Sequence, residues 1–366
     1  PHLSYPVIHI TGTNGKGSTT QIITQLLIAH GLQVGTYTSP HLETLTERIS
    51  RNNEPISEQD FADCVAAIAD IEVIGGVRPS YFEVMTAAAF RYFADTAVDV
   101  AVIEVGMLGR WDATNVVNSA VAVITNIALD HTEFAGPRLE DIAFEKVGIS
   151  KPGSVLVVGD TNEELREIWN AAESAAVLLR GNDFEISENE LAVGGRMIDV
   201  RTERAVYKEL PLPLHGQHQG ENASIALTAV EEFFGNVLDI EVVREGFAAV
   251  KMPGRFEVLG RGPLVVIDGA HNPAGADVCA QVFFDDFSPE GKRILVVGAL
   301  KGRDPQMLLS ALRADEFDVV ICCTAPSPRG LVAADLGSAA KQMGCEQVVV
   351  CETVEAACDK ALNIAR

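Results

Sequence analysis

The chain has 366 residues, more than one ordinary hydrophobic core encloses, so two domains are expected. Lys and Arg number 28 against 51 Asp and Glu, a formal charge of −23 that repels nucleic acid and anionic membranes; an anionic substrate therefore needs positive charge concentrated at its own site. No apolar run approaches the ~20 residues needed to span a bilayer and the N-terminus lacks a signal-peptide pattern, so a cytoplasmic protein is expected. Seven cysteines, six of them after residue 278, include no Cys-x-x-Cys pair and read as small buried residues of a reducing compartment. Cys322 and Cys323 adjoin in a strand pattern and are expected to face opposite sides.

Apolar runs at 7–10, 34–37, 98–105, 120–127 and 154–158 read as strands, with helical periodicity at 19–30, 58–71, 81–94 and 139–149 between them. That alternation predicts a mostly parallel sheet covered by helices. Residues 180–212 carry short alternating runs with Gly and Asn, which predict a small antiparallel patch, and a helix is expected over 219–234. Met252-Pro253-Gly254-Arg255 breaks the pattern and sets a boundary between domains 1–253 and 254–366. Beyond it, strand-like runs at 264–267, 294–297, 319–322 and 347–350 each precede a helical stretch, as in a smaller Rossmann-like α/β domain.

Thr11-Gly12-Thr13-Asn14-Gly15-Lys16-Gly17-Ser18-Thr19 joins the first strand to the first helix. Glycines let backbone N–H groups converge on anionic oxygens, the helix N-terminus adds partial positive charge, and Lys16 adds a full one. The N-terminal domain therefore reads as a P-loop ATPase domain, with the difference that Gly17 separates the lysine from the hydroxyl residue that ordinarily follows it. Ser18 offers a hydroxyl to Mg²⁺, or serves as an N-cap. Glu104 closes an apolar run at a strand C-terminus, where open α/β sheets bind ligands; beside a phosphate loop it reads as a metal ligand, and alone as a solvated carboxylate.

Asp130 and His131 follow the next apolar run, and an imidazole ligand fits a second ion, Mg²⁺ or Mn²⁺, better than a first. Lys146, in Glu145-Lys146, reads by itself as a solvated helix surface. Asn222, in Gln217-His218-Gln219-Gly220-Glu221-Asn222, either reads an adenine edge or caps a helix. Arg255 in the hinge is suited to a bidentate clamp on a γ-phosphate. Asp268-Gly269-Ala270-His271-Asn272-Pro273 reads as a ligand-facing loop ended by a helix-starting proline.

Together these strings resemble the folylpolyglutamate synthase and dihydrofolate synthase family, a branch of the ATP-dependent Mur ligases. Further matching strings are Thr38-Ser39-Pro40-His41-Leu42, Thr46-Glu47-Arg48, Tyr81-Phe82-Glu83 and Trp111-Asp112-Ala113-Thr114-Asn115. The resemblance implies a monomeric amide ligase in which ATP phosphorylates a carboxylate and the amino group of L-glutamate attacks the acyl phosphate, the acceptor being dihydropteroate or a reduced folate. By position, Thr13, Asn14, Gly15, Lys16, Gly17, Ser18, Thr19, Asn222, Arg255, Asp268 and His271 would bind ATP. Ser18 and Glu104 would hold one Mg²⁺, and Ser39, Glu104 and His131 a second ion. Lys146 matches a lysine that is carbamylated, and Asp112-Ala113 the loop that contacts the pterin in bifunctional members.

Leu108 stands where that family commonly has glycine, so a differently shaped loop is expected there. Members also usually begin with a further helical segment and continue further at the C-terminus, so the chain reads as part of a longer protein. A peptidoglycan Mur ligase with a UDP-sugar acceptor shares the chemistry but fits strings 38–42 and 104–115 less well. A purely regulatory nucleotide-binding module would lack Lys16, Ser18, Glu104, His131 and Lys146.

Overall fold

The computed structural model describes residues 1–130, 132–287, 291–302 and 304–365, and it divides into two compact units, Pro1–Lys251 and Met252–Arg366. In chain order the first unit begins with β1 (Val7–Thr11), α1 (Lys16–Ala29), β2 (Val34–Tyr37), β3 (Ile49–Arg51), β4 (Glu54–Pro55), α2 (Glu58–Gly75), α3 (Tyr81–Asp95) and β5 (Val100–Glu104). It continues through β6 (Ser119–Ile124), α4 (Thr132–Ala135), α5 (Leu139–Val147), β7 (Val155–Val158), α6 (Arg166–Asn170) and β8 (Ala176–Leu179). After these come β9 (Glu185–Ala192), β10 (Gly195–Arg201), β11 (Val206–Leu212), α7 (Gln217–Phe234) and α8 (Ile240–Ala248).

Among the described residues the main sheet runs β4-β3-β2-β5-β1-β6-β7-β8, parallel from β2 to β8 with β3 and β4 antiparallel at one edge. β1 and β5 are buried at every position, as strands covered on both faces must be, and they accordingly read as continuous apolar runs. One face packs Tyr37, Met85, Phe90 and Phe93 over β1, β2 and β5; another cluster joins Ala143, Val147 and Trp169 to β6 and β7. The antiparallel patch expected over 180–212 is the three-stranded sheet β11-β10-β9. Ser80 and Glu83 form a capping box that starts α3, which gives the Tyr81-Phe82-Glu83 string a structural role.

The second unit comprises β12 (Glu257–Arg261), β13 (Leu264–Ile267), α9 (Pro273–Asp285), β14 (Ile294–Ala299), α10 (Pro305–Ala311), β15 (Val319–Thr324), α11 (Ala333–Gln342), β16 (Val348–Cys351) and α12 (Val354–Ala365). β14, β15 and β16 form a parallel sheet. The run at 264–267, expected to be the first of four similar strands, instead pairs antiparallel with β12 in a hairpin turned at Gly262-Pro263. It is a partly exposed strand followed by a helix, as its position predicts, but periodicity does not specify a strand's partner. Cys322 joins the cluster with Leu336 and Ala340, and Cys323 the opposite one with Ala357, as the strand alternation requires. No described helix is long and apolar enough to cross a membrane.

Two boundaries bear on the site. α1 begins at Lys16 behind an N-cap Gly15, so Ser18 lies inside its first turn and is not the cap. α7 begins at Gln217, which puts Asn222 in its second turn and removes the capping reading for that residue too.

Candidate active site

β1 lies at the centre of the main sheet, between β5 and β6, with Ile10 in register with Glu104 and Thr11 with Ile124. The loop after β1, the end of β5 and the segment after β6 therefore emerge at one C-terminal sheet edge, beside the point where strand order reverses. Gly12 (φ 151°) sits so close to Thr125 that a Cβ would run into its side chain, and a Cβ on Gly15 (φ 82°) would run into the Asn222 carboxamide. Gly15 supplies no capping side chain and the first turn of α1 holds no acid, so its N–H groups and dipole favour an anion.

The loop is clamped from the β6 side. The Thr13 N–H donates to the Asn126 carbonyl (2.9 Å) and the Asn14 N–H to Asn126 Oδ1 (2.9 Å). Thr125 Oγ1 donates to the Asn14 carbonyl (2.6 Å), while the Thr13 hydroxyl donates to the Ala128 carbonyl (3.1 Å) and accepts the Ala128 N–H (3.0 Å). Thr125 and Asn126 escaped the sequence reading, which looked past them to Asp130 and His131; the signal was a polar pair placed directly after an apolar strand. His131 lies outside the described residues.

Two ammonium groups converge on one carbonyl of this loop. Lys16 Nζ donates to Gly12 O (2.9 Å) and Thr13 O (3.2 Å), and Lys146 Nζ to Gly12 O (2.8 Å). Lys146 is 4% exposed, which overturns its reading as a solvated helix face. α5 turns it inward because residues 109–110 pack against the end of that helix: the Arg110 N–H donates to Glu145 O (2.9 Å), and a Cβ on Gly109 would strike the carbonyls of Glu145 and Lys146. Burial, reinforced by the neighbouring Lys16 charge, lowers the Lys146 ammonium to a pKa of about 7.

Glu104 is buried, and its Oε2 accepts the Ser39 N–H (3.1 Å), which excludes the solvated-carboxylate reading and joins two of the proposed metal donors. Ser18 is also buried. No described cluster unites three His, Cys, Asp or Glu side chains. A small set of hard oxygen donors nevertheless suits Mg²⁺, which keeps waters and takes phosphate oxygens to complete its shell, better than a thiolate- or imidazole-rich transition-metal site.

The loop after β5 is closed by Asp112, whose Oδ2 accepts the Met107 N–H (2.9 Å) and whose Oδ1 accepts the Thr114 N–H (3.0 Å) and hydroxyl (2.6 Å). Ala113 follows at the start of a single 3₁₀ turn, and Trp111 projects outward, 87% exposed. Asn222 is buried in α7 and donates to Gln219 Oε1 (3.1 Å). Within the second unit, the Asp268 carboxylate accepts the N–H groups of Phe256 (2.8 Å) and Ala270 (2.7 Å), and burial pushes its pKa above the usual range. The Arg255 guanidinium lies against Gly269, while His271 is exposed with Nδ1 paired to Gly269 O (3.1 Å).

Residues 10–230 match the Mur ligase middle domain, and residues 254–366 match the Mur ligase glutamate ligase domain. A dihydrofolate synthase/folylpolyglutamate synthase of Mycobacterium tuberculosis is 41% identical over all of this chain and 80% of its own length. The chain belongs to the folylpolyglutamate synthase and dihydrofolate synthase family of Mur ligases. Folylpolyglutamate synthase from M. tuberculosis, solved with ADP and AMPPCP, superposes with a TM-score of 0.92 at 41% identity over 99% of this chain and 85% of that one. A bifunctional folylpolyglutamate synthase/dihydrofolate synthase with Mn, AMPPNP and L-glutamate bound gives 0.85 at 31% identity, covering 98% of this chain and 83% of that one.

Against the folylpolyglutamate synthase pattern, the departure at Leu108 has a local explanation. Leu108 adopts φ 57°, the left-handed region that glycine enters without strain, and its carbonyl accepts the Thr11 hydroxyl (2.5 Å). The leucine thus occupies a backbone conformation that glycine would adopt without strain.

Proposed function

We propose that this chain joins L-glutamate to the carboxylate of dihydropteroate or of a reduced folate, using ATP to form an acyl phosphate. The observation that carries this reading is the convergence of the glycine-rich loop, buried Glu104 and buried Lys146 at one sheet edge. Phosphoryl transfer needs charge neutralisation and in-line positioning more than a covalent nucleophile, and these groups supply both.

Lys16 would exchange the Gly12 and Thr13 carbonyls for the β- and γ-phosphate oxygens, with Thr13, Asn14, Gly15, Gly17, Ser18 and Thr19 lining the cradle. Asn222, held against Gly15, is assigned to the adenine; Arg255 to the γ-phosphate; Asp268 and His271 to further ATP contacts. Ser18 and Glu104 would hold one Mg²⁺, and Ser39, Glu104 and His131 a second Mg²⁺ or Mn²⁺; such ions neutralise charge on phosphoryl oxygens. Asp112 and Ala113 are assigned to the pterin acceptor. The attacking amine belongs to L-glutamate, and domains 1–253 and 254–366 divide the work between nucleotide and amino acid.

Carbamylation of Lys146 is part of the proposal. With a pKa near 7 its amine is substantially neutral at physiological pH, so its nitrogen attacks CO₂, forms an N–C bond as one C=O π bond opens, and releases a proton, turning a neutral buried amine into a buried carbamate anion. Free thiols and the −23 charge suit a monomeric cytoplasmic enzyme.

The test is ADP release from ATP, Mg²⁺ and L-glutamate with dihydropteroate, tetrahydrofolate or a UDP-muramyl acceptor. Turnover with one or both pterins is expected; turnover only with the UDP-sugar would move the chain to the peptidoglycan branch, and no acceptor dependence would end the ligase reading. Intact mass in bicarbonate should show one added CO₂ that Lys146→Ala lacks.

A further inference from the structure

We infer that His9 and Thr11 are positioning residues that tie the acceptor loop, residues 106–114, to the strand that carries the P-loop. They stand two apart on β1, so their side chains leave the same face of the strand, and both are fully buried. His9 Nε2 lies 2.9 Å from Thr114 Oγ1, and Thr11 Oγ1 donates to Leu108 O at 2.5 Å. The same short loop is therefore held at two points by one strand, whose next residues are the phosphate cradle itself.

Proton counting fixes the direction of the first tie. The Thr114 hydroxyl has one hydrogen, and it lies 2.6 Å from Asp112 Oδ1, a carboxylate oxygen that only accepts. The hydroxyl must then donate to Asp112 and accept from His9, which places the imidazole proton on Nε2. Burial, with Lys151 nearby, holds the ring neutral with a pKa of about 3. Nδ1 is left buried without a hydrogen-bond partner, a cost that an aliphatic residue at this core position would avoid. The relay continues through Asp112, whose second oxygen holds the Met107 N–H. His9 thus reaches both ends of the loop while belonging to neither the cradle nor the loop.

This inference rests on the reading that the loop around Asp112 contacts the pterin acceptor. The experiment measures kcat and separate KM values for ATP and the pterin in Thr114→Val and His9→Leu, which cut the tie, and in Thr114→Ser and His9→Gln, which keep a hydroxyl or an N–H donor. Losing one such bond should raise the pterin KM about three- to tenfold in the first pair, with ATP KM and kcat within about twofold, and the second pair should recover it. A parallel rise in ATP KM, or an unchanged pterin KM, would overturn the tie. Asp112→Ala separates the two layers: a raised pterin KM there with none in Thr114→Val leaves Asp112 as an acceptor contact and removes the tie, whereas unchanged values in both remove both readings. Nitrogen NMR of the wild-type His9 ring gives a check independent of variant folding, since the Nε2–H tautomer supports the tie and the Nδ1–H tautomer refutes it.

Discussion

Two loops, one after β1 and one after β13, join a strand to a helix and look alike in composition: each is rich in glycine and in small polar side chains. Their electrostatics differ. The first carries a side-chain-free N-cap, no acid in the opening turn of α1, and two lysines on a single carbonyl. In the second, Asn272 Oδ1 accepts the Gly275 N–H, and Asp268 accepts backbone N–H groups of its own unit with both oxygens. The first loop gathers two lysine ammonium groups at a site clamped by residues 125–128; the second largely satisfies itself. The parent strands explain the contrast, because β1 is flanked by two parallel neighbours whose ends supply the clamp and a carboxylate, whereas among the described residues β13 pairs with its hairpin partner alone.

The largest effect should come from the charges of the first loop. Lys16→Ala and Glu104→Gln should each lower kcat by roughly 10²–10³-fold in the pterin-dependent assay, while Glu104→Gln, which keeps an oxygen for the Ser39 N–H, unfolds near the wild-type temperature. Equal losses from His271→Ala would erase the distinction between the loops.

Next is the pH dependence set by Lys146. Its pKa falls from 10.5 to about 7 on folding, so the folded state binds fewer protons than the unfolded one between those values. Stability therefore rises with pH across that window, and the burial penalty is complete below pH 7. Lys146→Met should be more stable than the uncarbamylated wild type at low pH, with the gap narrowing towards pH 10.5; urea titrations in CO₂-free buffer measure it. A gap independent of pH would mean that Lys146 is not buried as an amine.

A smaller effect tests the second loop. Asn272→Ala should cost about 1 kcal/mol of unfolding free energy through the lost α9 cap, with ADP affinity unchanged by calorimetry. The smallest is the effect of glycine at Leu108. Replacement by glycine should leave stability within about 1 kcal/mol, since relieved left-handed strain offsets added chain entropy, whereas Leu108→Val should lose about 1–2 kcal/mol in the same titration.

Much of this was legible before any coordinates. The P-loop string marked the strand-to-helix cradle, and the alternation of apolar runs placed the parallel sheet around it. Glu104 was legible as a strand-end carboxylate beside that loop. Lys146 was legible only through the family resemblance: its local sequence is that of an exposed helix, and the packing of residues 109–110 on α5 turns it under Gly12. Thr125 and Asn126 stand as a polar pair directly after an apolar strand, but the loop that they clamp is set by strand order and not by local sequence. The second-unit hairpin was not foreseen because periodicity marks a strand and not its partner.

The sequence by itself determined the elements, the phosphate-binding chemistry and the family, because these depend on residue type at short spacing. Tertiary structure alone decided which charges share an edge, which lysine loses its water, and how His9 and Thr11 tie one loop to another. Those outcomes depend on contacts across about 100 residues of chain, as the 105 between His9 and Thr114 and the 134 between Gly12 and Lys146, and on the desolvation that such contacts impose.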